Sequence, residues 1–280
     1  MTRMPTQTLP TGDELPQLGF GTYALDGEET TDAVRTALEA GYTHIDTAEG
    51  YENEAEVGDA IADVDREELF LTSKVLPKHL GYDSLIQSCE ASLDRLGTDY
   101  LDLYLIHWPN PAVSLRESLD AMETLVDRGL VRNVGVSNFT AYQLDCAQHI
   151  SDVPIAVNQI EFHPWFQRPD LVEFCQEAGV VVEAAAPLAR AEVFEDDLLQ
   201  DLAETYDRSI PQIVVNWALQ HDIVALPKSS SPSHIRENLD VFDWELDAED
   251  LAAIDERDRE YPVYDTLTRD WSNDTYGIPR

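Results

Sequence analysis

Lysine is almost missing from this chain. Three occur in 280 residues, against 15 arginines and 55 acidic side chains, and the formal net charge is −37. So negative a surface excludes DNA, RNA and anionic membranes as partners, because phosphate selects basic surfaces. Cysteine is scarce as well. Cys89, Cys146 and Cys175 stand far apart, with no CxxC and no His pair at ligand spacing, so no metal site is expected. Each falls in an amphipathic helical pattern and reads as a small core residue. Long apolar runs are absent, and Met1-Thr-Arg-Met-Pro carries no apolar signal segment. The expectation is a soluble, cytoplasmic protein.

What is present is enough apolar material for a core: 43% of residues are hydrophobic and 9% aromatic. Acidic disordered chains lack that content. The chain therefore reads as a folded protein with an acidic skin. Self-repulsion at this charge density opposes compaction. Molar salt shortens the Debye length to roughly 3 Å and removes most of that penalty. A salt-loving host, or a high-salt cytoplasm, is expected.

No linker or composition break divides residues 1–280, which are read as one domain. Short apolar runs alternate with helical patterns. Strands are expected near 18–24, 43–48, 69–75, 100–108, 131–137, 155–162, 180–187 and 223–227. Helices are expected near 30–40, 53–63, 83–96, 114–128, 140–150, 169–178, 198–219 and 232–241, with 198–219 broken before Pro211. An Asp83-Ser84 cap and a Ser114…Glu117 capping box mark two helix starts. Eight strand–helix units in this length fit an α/β fold of the (β/α)8 TIM barrel type. A doubly wound open sheet is the rival. Residues 9–17 read as an N-terminal β-hairpin plugging the barrel. The tail, 258–280, reads either as a loop over the other mouth, contributing Tyr261, Tyr264 or Trp271, or as a plain surface tail.

Reactive groups of such barrels sit at the C-terminal strand ends. There the chain sets Asp46 after Thr43-His-Ile, Lys74 after Leu69-Phe-Leu-Thr-Ser, and His107 after Leu103-Tyr-Leu-Ile. Tyr51 follows Asp46 by five residues. Singly, each has an ordinary use as a loop cap, packing group or satisfied core histidine. Together they make a proton source. A phenol with an ordinary pKa near about 10 is a poor donor at neutral pH. A nearby ammonium is expected to lower that pKa, and an acid behind it keeps the ammonium charged. A histidine beside the tyrosine can orient a carbonyl oxygen. This suits carbonyl reduction by hydride.

The motifs Gly19-Phe-Gly-Thr, His44-Ile-Asp-Thr-Ala…Tyr51-Glu-Asn-Glu, Thr72-Ser-Lys and Tyr104-Leu-Ile-His-Trp resemble the aldo-keto reductases. So do Gly135-Val-Ser-Asn-Phe, Val157-Asn-Gln-Ile-Glu-Phe-His-Pro and Leu226-Pro-Lys-Ser…Arg236-Glu-Asn. The resemblance runs in order from about residue 9 to 245. It implies a catalytic tetrad of Asp46, Tyr51, Lys74 and His107, and NADPH (NADP+) extended across the barrel mouth. Ser137, Asn138 and Gln159 would then hold the nicotinamide carboxamide. Lys228, Ser229 and Ser231 would meet the 2′-phosphate and ribose, and Glu237 and Asn238 the adenine. Gly19 and Gly21 lack the third glycine of a dinucleotide fingerprint and are read as backbone turns.

Two positions depart from the family pattern. Ala185 stands where an aromatic usually stacks on nicotinamide, leaving Phe194 or Tyr23 to replace it. His234 stands where an arginine meets the 2′-phosphate, and Arg236 lies on another helix face. A weaker phosphate site that also accepts NADH is expected. Tyr23 and Trp108 are expected to line an apolar substrate slot, with Leu76 and Trp165 near it. Small aldehydes, 2-oxoaldehydes or diketones suit it, and the resemblance implies a monomer. A regulatory barrel that senses NADPH with little turnover, and a barrel hydrolase, are the competing readings.

Overall fold

The computed structural model describes residues 4–264. Trp271 lies outside them. The chain opens with a hairpin of β1 (Thr6–Thr8) and β2 (Glu14–Pro16), paired antiparallel. Strands and helices then alternate: β3 (Phe20–Gly21), α1 (Glu28–Ala40), β4 (His44–Asp46), α2 (Glu54–Ile61), β5 (Phe70–Val75), α3 (Tyr82–Leu96), β6 (Leu101–Ile106) and α4 (Leu115–Asp127). There follow β7 (Val131–Ser137), α5 (Ala141–Ile150), β8 (Ile155–Glu161), α6 (Pro169–Glu177), β9 (Val181–Ala185), α7 (Asp197–Tyr206), α8 (Ile210–Gln220), β10 (Val224–Ala225), α9 (Pro232–Glu237) and α10 (Ala248–Asp255).

Strands β3 to β10 pair in parallel, each with the next in sequence. A parallel bridge between Leu18 and Ala225 joins the last strand to the first. Gly19 donates its N–H to the Ala225 carbonyl at 2.9 Å across this seam. The result is the expected (β/α)8 barrel. Most of its strands are buried on both faces, under helices outside and side chains within, which is why they read as unbroken apolar runs.

The hairpin does plug the barrel. Leu9 and Leu15 are buried against Phe70, Leu103, Val157 and Val224 inside it. Burying two such side chains stabilises the closure by roughly 3–6 kcal/mol at about 1.5–3 each. Asn133 donates to Asp13 at 2.7 Å and accepts from Thr11, tying the hairpin tip to β7.

Several local expectations are corrected. Helix α3 begins at Tyr82 behind Gly81, with no Asp83-Ser84 cap. Ser114 stands at the start of α4 without bonding its side chain to the helix. The carboxylate of Glu117 instead crosses to accept the Tyr82 N–H of α3 at 3.0 Å. A neighbouring helix with a free N–H competes for the same oxygen. The reciprocal capping boxes lie at Thr140–Gln143 and Ser209–Gln212. The second starts α8, which confirms the break before Pro211. Gly19 and Gly21 are not turns: both belong to the first strand and its seam. A Cβ on Gly19 would come within 2.6 Å of His44 Nδ1, so glycine is there to make room. Helix α10 was not foreseen. Cys89 and Cys175 are buried, but Cys146 is only half-buried.

Candidate active site

The barrel mouth gathers Asp46, Tyr51, Lys74 and His107. Asp46 ends β4, and Lys74 lies one residue before the end of β5. Tyr51 ends a short 3-10 turn, Glu49–Tyr51, that follows β4. The Asn53 amide holds this turn in place. It donates to the carbonyls of Thr22 (2.9 Å) and Leu25 (3.1 Å) and accepts from the Thr47 hydroxyl at 3.1 Å. It thereby ties the loop carrying Tyr23 to the loop carrying Tyr51. Glu49 holds the far side, accepting from the Leu76 N–H at 3.0 Å and pairing with His79 at 2.7 Å.

Lys74 is the pivot and is fully buried. Its Nζ lies 2.7 Å from Asp46 Oδ1, 2.9 Å from the Thr47 carbonyl and 3.1 Å from the Tyr51 hydroxyl. Three donors thus meet three acceptors. The rings of Tyr23 and His107 pack edge-on against Tyr51, with centroids 5.2 and 5.6 Å away.

The acid–base states differ from the simple expectation. Burial, with the Asp46 carboxylate and Tyr23 adding to it, holds the Tyr51 pKa well above the ordinary phenol value. The lysine was expected to lower it. Its ammonium, however, is already paired with Asp46, so little net positive charge remains to favour a phenolate. The phenol keeps its proton in the resting site. Burial first, then the Lys74 charge, holds the His107 pKa well below the usual imidazole value, so this ring is neutral. Its Nδ1 is buried without a partner.

Two joined cavities, of about 780 and 320 Å³, open over this cluster and share the walls Tyr23, Tyr51, Gln159, Ala185 and Tyr264. The smaller one is completed by Leu76, His107, Trp108, Ser137 and Asn138. Asn138 takes a left-handed backbone and donates to the His107 carbonyl at 3.1 Å and Ser137 Oγ at 2.9 Å. The larger cavity runs outward to Lys228, Ser229, His234, Glu237 and Asn238. The Asn238 Oδ1 is buried without a partner.

Other candidates are not brought to this place. Ser231 lines neither cavity, and its hydroxyl bonds to Ser233 at 2.9 Å. Arg236 turns to the Pro232 carbonyl at 3.0 Å. Trp165 is buried and donates to Asp196 at 2.9 Å, and Tyr261 packs edge-on against it. Among the described residues of the tail, Tyr264 reaches the mouth. The Glu161 carboxylate holds it there, accepting the backbone N–H groups of Val263 and Tyr264. Phe194 lines the larger cavity, as does Arg190, whose guanidinium lies 5.2 Å from the Tyr264 ring centroid and 5.8 Å from that of Tyr23.

Residues 17–259 match the aldo/keto reductase family. The chain belongs to that family. It is 40% identical over 253 residues to the glyoxal reductase of Bacillus subtilis, covering 89% of this chain and 91% of that protein. It is 39% identical to the morphine 6-dehydrogenase of Pseudomonas putida, over 91% of this chain and 92% of that one. Among solved structures, an aldo-keto reductase from a Medee basin deep-sea metagenome superimposes with a TM-score of 0.91 at 36% identity, covering 94% and 99% of the two chains. The Bombyx mori aldo-keto reductase in complex with NADP gives 0.90 at 33% identity, with 99% of both covered. As a member of the aldo-keto reductases, the protein is an oxidoreductase of the kind that works with NAD(P)H and carbonyl compounds. Among the described residues, no helix is long and apolar enough to cross a membrane.

Sequence reasoning missed the groups behind the tetrad. Glu183 and His44 are buried inside the barrel. Neither stood out, since both sit in apolar strand runs and their hydrogen-bond partners, Gln159 and Thr72, come from other strands. A charged residue within such a run is itself the signal that could have found them.

Proposed function

We propose that this single barrel domain reduces small aldehydes, 2-oxoaldehydes or diketones to alcohols, with Tyr51 as the proton donor. The observation that carries the reading is the Lys74 ammonium, bonded at once to Asp46 and to the Tyr51 hydroxyl. A carbonyl oxygen that gains negative charge beside Tyr51 would draw off the phenolic proton. Lys74 would then meet the forming phenolate at hydrogen-bond range, and the attraction grows as charge develops. A neutral imidazole donates from one nitrogen only. With Nδ1 of His107 buried, Nε2 is the nitrogen left to orient the substrate oxygen. Trp108, Tyr23 and Leu76 would form the apolar wall of the slot.

The nicotinamide cofactor supplies the hydride when bound. The residues present fit it. The cavities run from the tetrad to an exposed lysine, and the unpartnered Asn238 Oδ1 can accept from an adenine amino group. Ser137, Asn138 and Gln159 would hold the carboxamide, and Lys228 and Ser229 the 2′-phosphate. His234 offers an imidazole where an arginine would offer a permanent fork of donors. NADPH is therefore preferred, with NADH also used. The net charge of −37 supports a high-salt working environment, and the reading includes a cytoplasmic monomer, as the family resemblance implies.

The test is oxidation of NADPH, followed by its absorbance, with a panel of aldehydes and diketones in molar KCl. Tyr51→Phe should abolish turnover and leave NADPH binding nearly intact. Wild-type turnover in that variant would overturn the mechanism. Tight nucleotide binding with no turnover on any carbonyl would favour a sensing barrel instead.

A further inference from the structure

Strand β9 carries a carboxyl group that the reduction chemistry does not use. Glu183 is fully buried. Its Oε2 accepts from Gln159 Nε2 at 2.8 Å, and the same nitrogen donates to Asp46 Oδ2 at 2.9 Å. The second bond spans the barrel lumen from β8 to β4. Both hydrogens of the Gln159 amide are thus committed to carboxyl groups. The other oxygen of Glu183, Oε1, has no hydrogen-bond partner.

The surrounding charges are few. Asp46 and His44 face Glu183 from β4, Lys74 from β5 and the neutral Gln159 from β8. Val224, its register partner on β10, brings no charge. His44 Nε2 lies 3.9 Å from Oε1 but bonds to Thr72 at 3.1 Å. One ammonium therefore serves two carboxyl groups, and it is paired with Asp46 at 2.7 Å. A second carboxylate here would be a buried charge without a counter-ion, so one of the pair must be neutral.

We propose that Glu183, held as the neutral acid, is a positioning residue that fixes the Gln159 amide with its nitrogen toward the barrel interior, leaving its oxygen free for the cofactor carboxamide. The proposal rests on the reductase reading. Burial, reinforced by Asp46 and opposed by Gln159 and Lys74, pushes the Glu183 pKa up to about 8. Burial and the Lys74 charge pull His44 down to about 3, so its ring brings no counter-charge near neutrality. When Glu183 loses its proton to solvent, two carboxylates face one ammonium. The added negative charge holds the Tyr51 proton more tightly and pulls Lys74 from its post. Reduction should then fall as pH passes about 8.

The experiment compares wild type with Glu183→Gln, which keeps the shape and the acceptor oxygen but cannot ionise. NADPH affinity by fluorescence, and kcat and KM for reduction, are followed from about pH 6 to 10. The wild-type kcat should fall by close to tenfold per pH unit above about 8. In Glu183→Gln that fall should move up by at least about one unit, with nucleotide affinity at neutral pH within about threefold of wild type. A merely structural role would lower activity equally at every pH. A variant with the wild-type alkaline midpoint overturns the proposal. A second measurement needs neither turnover nor a folded variant. Infrared spectra of wild-type protein labelled with carbon-13 glutamate should show a protonated carboxyl that disappears as pH passes about 8. Its absence at neutral pH overturns the proposal. A protein that reduces no carbonyl at any pH sinks the reductase reading alone, while the infrared band still decides the state of Glu183.

Discussion

Lys74 Nζ lies 3.1 Å from the Tyr51 hydroxyl and 4.7 Å from the centroid of its ring. The ammonium is thus poised for the oxygen and also touches the π face. Its value to the tyrosine depends on the charge state of the phenol: modest while the proton is on, large once it leaves.

Lys74→Met should therefore cost kcat far more than nucleotide affinity. A loss on the order of 10²–10⁴ in kcat is expected, the range for a disabled proton donor. NADPH binding by fluorescence should stay within about threefold. A variant retaining a tenth or more of wild-type kcat would remove Lys74 from the proton step.

Folding stability should carry the mark of Glu183. Its pKa rises from 4.5 to about 8 on folding, so the native state holds a proton that the unfolded chain releases between those values. Stability from this group is whole below about pH 4.5 and is lost progressively until about pH 8. The accumulated loss at pH 7 is on the order of 3 kcal/mol by linkage. Glu183→Gln should then gain on wild type in urea unfolding as pH rises from about 5 to 8. His44, pulled down from 6.5 to about 3, acts in the opposite sense. Its contribution is present above about pH 6.5 and is lost as pH falls toward 3. An unchanged stability difference across the window would show that Glu183 is ionised in the folded protein.

Nucleotide preference should be moderate. The ratio of kcat/KM for NADPH over NADH should stay below about a thousand, roughly 4 kcal/mol. His234→Arg places a permanent cation on α9 at the rim that Lys228 shares, and should raise that ratio by about tenfold or more. Titrations with both nucleotides at one salt concentration decide it, because screening weakens the phosphate contact.

Thermal midpoints should rise from low to molar KCl. The net charge of −37 leaves the folded chain repelling itself, and screening relieves this most where charges are crowded. Midpoints that fall with KCl would sink the high-salt assignment.

Much of this protein was legible in one dimension. Most of the barrel strands announce themselves because they are buried on both faces and rich in apolar residues, and glycines such as Gly41 and Gly97 end helices in left-handed conformation. The gathering of Asp46, Tyr51, Lys74 and His107 at one mouth was legible because strand ends impose a location on residue types that barrel rims rarely carry. Glu117 was misread because a capping oxygen answers to whichever free N–H is near, and the Tyr82 N–H belongs to another helix. Glu183 was missed for a similar reason. Its neighbours Asp46 and Gln159 lie 137 and 24 positions away in sequence; Gln159 meets it through the pairing of β8 with β9, and Asp46 only through the curl of the barrel. The lowered tyrosine pKa failed because pairing of Lys74 with Asp46, and the depth of the pair, are three-dimensional facts.

The hairpin seal has a kinetic consequence. Leu9 and Leu15 stopper one end of the barrel, and the two joined cavities open at the other, over Tyr51. Under the proposed function, a proton given up by Tyr51 would return through the mouth by which the alcohol would leave. Product departure and recharging of the donor are then successive users of one passage. A bulky alcohol that lingered there would then delay both the next substrate and the next proton.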